Sequence, residues 1–472
     1  MDEALLIDAA TRNVLTPEQA WHYRVVPQHL GPEGCTLLCA GGADEAVRLE
    51  LEVLLGLRVT LEPAGANVVE RALATHYRRV ERPGRRVDLS ARTAEHLLHD
   101  LVQEARDLGS SDVHAEVYER EARVRIRIDG LLVERYRYPA ADHPALVNRV
   151  KVQAGLDISE KRLPQDGRMV LDRDGRRTDV RVSVLPTLHG EKVVLRLLGQ
   201  DAGDLSLADL GMDAPQLEDY RSGIARPHGL VLISGPTGSG KTTTLYATLK
   251  ELNAVRRNIV TVEDPVEYTL EGVNQVPLRE GIGLGFAQAL RSFLRQDPDV
   301  IMLGEVRDAE TAQMAVRAAL TGHLVLSTVH TNSAWGTVGR LMDMGVPPYL
   351  LAATLNTSVA QRLVRTLCTT CARPEPWPTG AARPVPAEAP PATHQVPVGC
   401  PACHYTGYRG RQALYEVVAM DTDRAEQVRR GVTDDQAALA GRPVRRLADS
   451  AWALLRSGRT SLEEAHPILT SA

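Results

Sequence analysis

The chain has 472 residues, too many for one hydrophobic core, so about two to four domains are expected. Hydrophobic residues make up 43% and charged residues 24%, which excludes a disordered or fibrous chain. The net charge of −5 excludes polyanion binding by bulk electrostatics and leaves only a local basic patch open.

The start, "MDEALLIDAATRNVLTPEQ", lacks the charged-then-apolar layout of a signal peptide. No uninterrupted apolar run reaches membrane-spanning length. A cytoplasmic protein is expected, and in that compartment paired thiols favour a metal over a disulfide.

Residues 1–80 read as a small α/β domain, with strands "YRVVPQHL" and "GCTLLCA" and the amphipathic helix "GADEAVRLELEVLLGL". Cys35 and Cys39 lie on the second strand and read as small buried hydrophobes. The charged, Pro-Gly-containing stretch 78–88 is a linker. Residues 89–205 open with the helix "TAEHLLHDLVQEARDLG" and continue in alternating strands, "ARVRIRIDG", "LLVERYRY", "TDVRVSVLP" and "EKVVLRLL", which predicts an α+β domain.

Residues 206–365 alternate apolar runs, "GLVLISG", "NIVTVED", "DVIMLGE" and "HLVLSTVH", with helical segments. That alternation predicts a parallel sheet with helices on both faces. Residues 366–411 hold four cysteines around a Pro- and Ala-rich stretch, 372–399, that reads as an extended loop. The remainder, 412–472, reads as helical.

"GPTGSGKT", from Gly235 through Pro236, Thr237, Gly238, Ser239, Gly240 and Lys241 to Thr242, fits the G-x-x-x-x-G-K-[ST] phosphate loop. It follows an apolar strand and precedes the helix "TTTLYATLKEL", whose first turn includes Thr243. The glycines let successive backbone N–H groups turn inward on phosphates, and the helix N-terminus adds its positive dipole end. Lys241 would reach the β and γ phosphates of ATP, and Thr242 would coordinate Mg²⁺.

Such a site needs a carboxylate at a neighbouring strand end to hold the metal. In "DPDVIMLGEVRD" the usual Asp position is Gly304, and Glu305 follows it as the metal-side carboxylate. A second acidic cluster, Glu263, Asp264 and Glu267, ends the strand of "NIVTVEDPVEY". Glu263 is expected as the general base for the attacking water. In "TGHLVLSTVHTN", His330 with Thr331 would sense the γ-phosphate, and His323 would cap the strand.

Cys368 and Cys371 form one C-x2-C pair, and Cys400 and Cys403 another. The pattern points to a structural Zn²⁺ site with its coordination saturated. A redox pair or two disulfides are the alternatives.

In this order the pieces resemble one family, the secretion and type IV pilus assembly ATPases (the GspE/PilB family). Its hallmarks stand here as the phosphate loop "GPTGSGKTTT", the Asp box "TVEDPVEY", the Walker B "DPDVIMLGEVRD" and the His box "TGHLVLSTVHTN". "SDVHAE", "RLPQDGR", "DVRVSVLPTLHGEKVVLRLL" and "VAQRLVRTLCTTC" resemble further family motifs. The resemblance implies a small N-terminal docking domain, a PAS-like second domain, a RecA-like ATPase domain with a tetracysteine zinc knuckle, and a homo-hexamer. It implies a cytoplasmic motor, peripheral on the inner face of the membrane, working with an inner-membrane platform protein and a membrane-anchored adaptor. It also implies that Arg181 and Arg196 reach the nucleotide from the PAS-like domain, with Arg291, Arg295 and Arg307 adding charge from the ATPase domain or its neighbour. Arg409 or Arg411 would lean toward a nucleotide or a neighbouring subunit.

The sequence resembles the type II secretion branch more than the pilus branch, and by the same resemblance the knuckle implies an assembly or secretion motor rather than a retraction motor. A DNA-handling ATPase would want a basic tract interleaved with aromatics, which are only 4% of this chain, so no nucleic-acid partner is expected. A non-hydrolysing switch is disfavoured by intact Lys241, Glu263 and Glu305.

Overall fold

The computed structural model describes residues 7, 9–12, 14–31, 34–41, 44–77, 85–86, 94–173, 176–198, 205–378, 391–435 and 444–470. The linker expected at 78–88 lies outside the described residues except for 85–86.

Strands β1 (Val25–Gly31), β2 (Gly34–Ala40) and β3 (Val59–Ala64) form the first sheet in that order. The β1–β2 pair is antiparallel and the β2–β3 pair parallel. The β2–β3 crossover is the amphipathic helix Glu45–Leu55, capped at its start by the Asp44 carboxylate and at its end by left-handed Gly56. Cys35 and Cys39 are both buried in this core, as their placement on an apolar strand demands.

The second sheet has the order β4-β7-β6-β5-β10-β9-β8. Its strands are β4 (Arg85–Arg86), β5 (Asp112–Val117), β6 (Glu121–Ile128), β7 (Leu131–Pro139), β8 (Gln165–Arg173), β9 (Arg176–Thr187) and β10 (Gly190–Leu198). Along β6 every second side chain is buried, the period expected when one face packs on a core. The helices Ala94–Asp107 and His143–Gln153 contribute Leu98, Leu101 and Val147 to that core.

A buried ion pair pins the second helix. Lys151 Nζ lies 2.6 Å from Glu191 Oε1 and donates to the Glu160 carbonyl at 2.7 Å, with the lysine side chain fully buried. The pair holds by charge more than by an aligned hydrogen bond, since Glu191 Oε1 lacks one. Lys151→Met would strand the Glu191 carboxylate, at a cost of about 3–5 kcal/mol. An earlier first transition in calorimetric melting is the expected result.

The third sheet is the largest core. Its order is β13-β12-β14-β15-β11-β16-β19. Strands β11 (Gly229–Ser234), β12 (Ile259–Glu263), β13 (Asn274–Pro277), β14 (Val300–Leu303), β15 (Leu324–Val329) and β16 (Leu355–Leu367) pair in parallel. Strands β11, β12, β14 and β15 are buried along their whole length. Alternate residues of β11 feed opposite layers: Leu230 and Leu232 join one cluster, Val231 and Ile233 the other. Burial on both faces is why these runs are continuously apolar rather than alternating.

Beyond β16, strands β17 (Arg373–Pro376) and β18 (Thr393–Val396) make an antiparallel hairpin, so the stretch read as an extended loop is ordered at both ends. Its middle, 379–390, lies outside the described residues. The chain then returns as β19 (Tyr408–Ala419), antiparallel to β16 from Thr357↔Ala419 to Leu367↔Tyr408. The segment read as helical from 412 therefore begins inside a strand, and helices start only at Thr422. Cross-strand pairing with β16 overrides local propensity there. Among the described residues no helix is long and apolar enough to cross a membrane.

Candidate active site

The phosphate loop leaves β11 at Ser234 and enters the helix Lys241–Leu252. Gly235 and Gly240 are glycines of necessity. Their φ angles are 152° and 86°, and a Cβ would stand 2.5 Å from the Gln361 carbonyl at the first and 2.9 Å from Gln361 Nε2 at the second. The helix N-terminus carries no side-chain cap, so its leading N–H groups face the loop.

Lys241 Nζ donates to the Gly235 and Pro236 carbonyls at 2.7 and 3.1 Å. Burial pulls this ammonium below the ordinary lysine value; the Glu305 carboxylate opposes that shift and Arg362 adds to it. Ser239 Oγ is buried with no hydrogen-bond partner. Pro236, Thr237, Gly238 and Thr242 are exposed, and Thr243 is half-buried.

Three charged side chains and one imidazole gather beside this loop. Glu305 Oε1 accepts from Arg307 Nε at 2.7 Å, and Glu305 Oε2 lies 3.3 Å from His330 Nε2. Arg307 also reaches Asp264 Oδ2 at 3.4 Å, and these partners raise its already high basicity. Glu305 and Arg307, just past the end of β14, are thus brought together with His330, just past the end of β15. A Cβ at the preceding Gly304 would stand 3.4 Å from Phe286 and from the Val262 carbonyl.

Glu263 sits differently. It is 3% exposed. Its carboxylate accepts from Tyr246 Oη, from Thr261 Oγ1 at 2.6 Å and from Gln275 Nε2 at 3.1 Å. Activating a water there requires that one of these contacts open.

Arg291 pairs with Glu310, and Arg295 donates to the Arg291 carbonyl, so both hold local contacts within the chain. Arg196 bonds Asp112 Oδ1 at 2.9 Å. Arg181 and Arg196 are still close enough to Glu267 that their charges oppose the upward shift burial imposes on its carboxyl. Arg411 lies 3.7 Å from Asp129 at the β6–β7 turn, and the Gly410 N–H donates to the same carboxylate. His323 Nδ1 meets the Ala318 carbonyl at 3.0 Å, closing the turn before β15.

The four thiols converge. All four sulfurs lie within 4.8 Å of one another. The Cys368–Cys400, Cys371–Cys403 and Cys400–Cys403 separations are 3.9, 3.8 and 3.7 Å. A tetrahedral ion with bonds of about 2.3 Å demands an edge of about 3.8 Å, so the set fits Zn²⁺. N–H groups of Gly399, Cys400 and Gly407 point at Cys371 and Cys403 sulfurs and would steady thiolate charge.

The family model for type II/IV secretion system proteins matches residues 88–467. The chain belongs to that family. It is an ATPase, as its family membership and curated relatives named as ATPases indicate. The type II secretion system protein E of Pectobacterium carotovorum is 45% identical over 432 residues, covering 85% of this chain and 85% of that protein. The type IV pilus assembly ATPase PilB of Myxococcus xanthus is 52% identical over 328 residues, 68% of this chain and 58% of that protein. The solved structure of the Legionella pneumophila ATPase DotB superposes with a TM-score of 0.61 at 22% identity, covering 80% of this chain and 96% of that one, which is a likeness of fold.

Sequence reasoning missed Gln361, Arg362, Asn332 and Glu416. "VAQRLVRTLCTTC" was visible as a family motif, but nothing local told that its Gln-Arg pair stands against the phosphate loop.

Proposed function

We propose that this chain is the motor ATPase of a type II secretion system. It works as a homo-hexamer on the inner face of the cytoplasmic membrane, with a platform protein and a membrane-anchored adaptor, and hydrolyses ATP to drive pseudopilus assembly and protein export. The observation that carries the reading is Lys241 in its loop beside the Glu305–Arg307–His330 cluster.

Gly235 to Thr243 would cradle the phosphates. Thr242 and Glu305 would hold Mg²⁺, which supplies charge neutralisation of the transferring phosphoryl group. Arg307 holds Glu305 on one oxygen and leaves the other to His330. Glu263 serves as general base once a water takes the place of the Tyr246 or Gln275 contact. Arg181, Arg196, Arg291 and Arg295 add charge from this chain or the neighbouring subunit. Cys368, Cys371, Cys400 and Cys403 hold Zn²⁺ as a structural clip. The functional units follow the divisions 1–80 for docking, 89–205 as the PAS-like unit, 206–365 as the ATPase unit, 366–411 as the metal element and 412–472 as the C-terminal part.

Extensive identity to a type II secretion protein over 85% of both chains favours export over pilus extension. Glu305→Gln keeps the shape and removes the charge. In the native host it is expected to stop exported proteins from reaching the medium while surface pili persist. Loss of pili with export intact would move the reading to pilus assembly.

A further inference from the structure

The parallel pairing of β11 with β16 brings Ala360 level with Ser234, so Gln361 and Arg362 continue alongside the phosphate loop. The Gln361 amide accepts from Thr244 Oγ1 at 2.9 Å, and its carbonyl closes on Gly235. Arg362 Nη1 donates to that carbonyl at 3.0 Å. Its other terminal nitrogen, Nη2, crosses to a different loop and donates to both the carbonyl and the side-chain Oδ1 of Asn332, each at 3.2 Å.

Asn332 is two residues beyond His330, whose ring meets Glu305. The far end of the same loop is fixed to the sheet. The Ala334 N–H donates to buried Glu416 at 2.8 Å, and the Ala334 carbonyl accepts from Ser358. Between the His330 end and this anchor, Ser234 Oγ at the end of β11 donates to the Ser333 carbonyl at 3.4 Å, and the Arg362 fork ties Asn332 to β16, the strand that walls the phosphate loop. A planar guanidinium suits that task because its donors are held in one rigid plane.

Electrostatics agrees with a site kept for an anion. Lys241 and Arg362 each depress below their ordinary basicity through burial, and Arg362 adds to the depression of Lys241. Two half-buried cations this near repel unless a polyanion lies against them.

We infer that Arg362 is a positioning residue for ATP hydrolysis: its fork registers the Asn332–His330 loop, and with it the His330–Glu305 pair, against the phosphate loop. This rests on the reading of Lys241 and Glu305 given above. Small misplacements of reacting groups cost far more in turnover than in binding.

The test uses the purified full-length chain, with steady-state turnover, ADP affinity by calorimetry and a melting curve for each variant. Arg362→Ala is expected to lower kcat by about 10–100-fold while KM for ATP and ADP affinity move by less than about threefold. Arg362→Lys keeps the charge but cannot bond the Gln361 carbonyl and Asn332 in one rigid fork, so it is expected to stay at least about tenfold down in kcat with an unchanged melting temperature. Asn332→Ala combined with Arg362→Ala should cost no more than Arg362→Ala alone, because both cut one contact.

Full turnover in Arg362→Lys would show that charge alone matters and overturn the positioning role. So would an Arg362→Ala kcat within about twofold of wild type, or a loss carried by KM alone. Additive losses in the double variant would also overturn it. Lys241→Ala is the control: inactive, it leaves those outcomes to judge Arg362, and fully active, it overturns the phosphate-loop reading and this inference together.

Discussion

Lys241→Ala is expected to lower ATP turnover by at least about 10²–10³-fold without lowering thermal stability. The two halves of this expectation come from one geometry. In the folded chain the ammonium donates to the Gly235 and Pro236 carbonyls, at the mouth of a loop shaped by Gly235 and Gly240. The charge is half-buried, and its depressed basicity shows that the fold holds it against a desolvation cost. A cation kept there at a cost belongs to function more than to stability. Removing it relieves that cost. The loop itself stays braced by Thr244 on Gln361 and by the packing of Gln361 against Gly235 and Gly240. Phosphate release assays and melting curves on the same preparation separate the two effects. Wild-type turnover would remove the phosphate loop from the mechanism, and a collapsed melting temperature would make Lys241 a structural residue.

What could be read from the sequence divides along physical lines. The phosphate loop was legible because its function is local: glycines, lysine and hydroxyl stand within eight positions, between an apolar strand and a helix. The buried strands were legible because burial on both faces leaves an unbroken apolar run. The tetracysteine cluster was legible from spacing, since metal geometry constrains both pairs. Strand β19 was not, because it is fixed by pairing with β16, from Thr357↔Ala419 to Leu367↔Tyr408, across the metal element. The surroundings of Glu263 were not legible either. Tyr246, Thr261 and Gln275 come from a helix and two strands, and only the fold reveals that they occupy its oxygens. Arginine roles were the least legible. Arg291 and Arg307 look alike in sequence, yet one pairs with Glu310 on the next helix and the other grips Glu305. Arg362 drew no role from sequence, because its importance lies in the Asn332 loop that its fork ties to β16.

Cys403→Ala is expected to remove bound zinc and to lower the melting temperature by roughly 10 °C, a loss of about 3–4 kcal/mol. The magnitude follows from what the clip closes. Cys368 directly follows β16 and Cys403 precedes β19, so the cluster ties together the two ends of a long excursion between neighbouring strands. Holding Cys371 to Cys400 closes a loop of about 30 residues, and fixing such a loop is worth about 3–4 kcal/mol in chain entropy. Cys403 is 2% exposed and receives N–H groups from Cys400 and Gly407, so alanine removes a ligand and leaves those donors facing a methyl group. The effect stays local in function. The strand β16 is also held by β11 and by most of the β19 ladder, so Gln361 and Arg362 keep their places and ADP affinity is expected to change by less than about threefold. Cys35→Ala, in the separate N-terminal core, is the control and should leave metal content unchanged. Metal analysis of protein purified under reducing conditions, paired with melting curves, decides the matter: zinc retained at one per chain in Cys403→Ala would rule out the four-thiolate site, and zinc lost with no change in melting would make the clip dispensable to the fold.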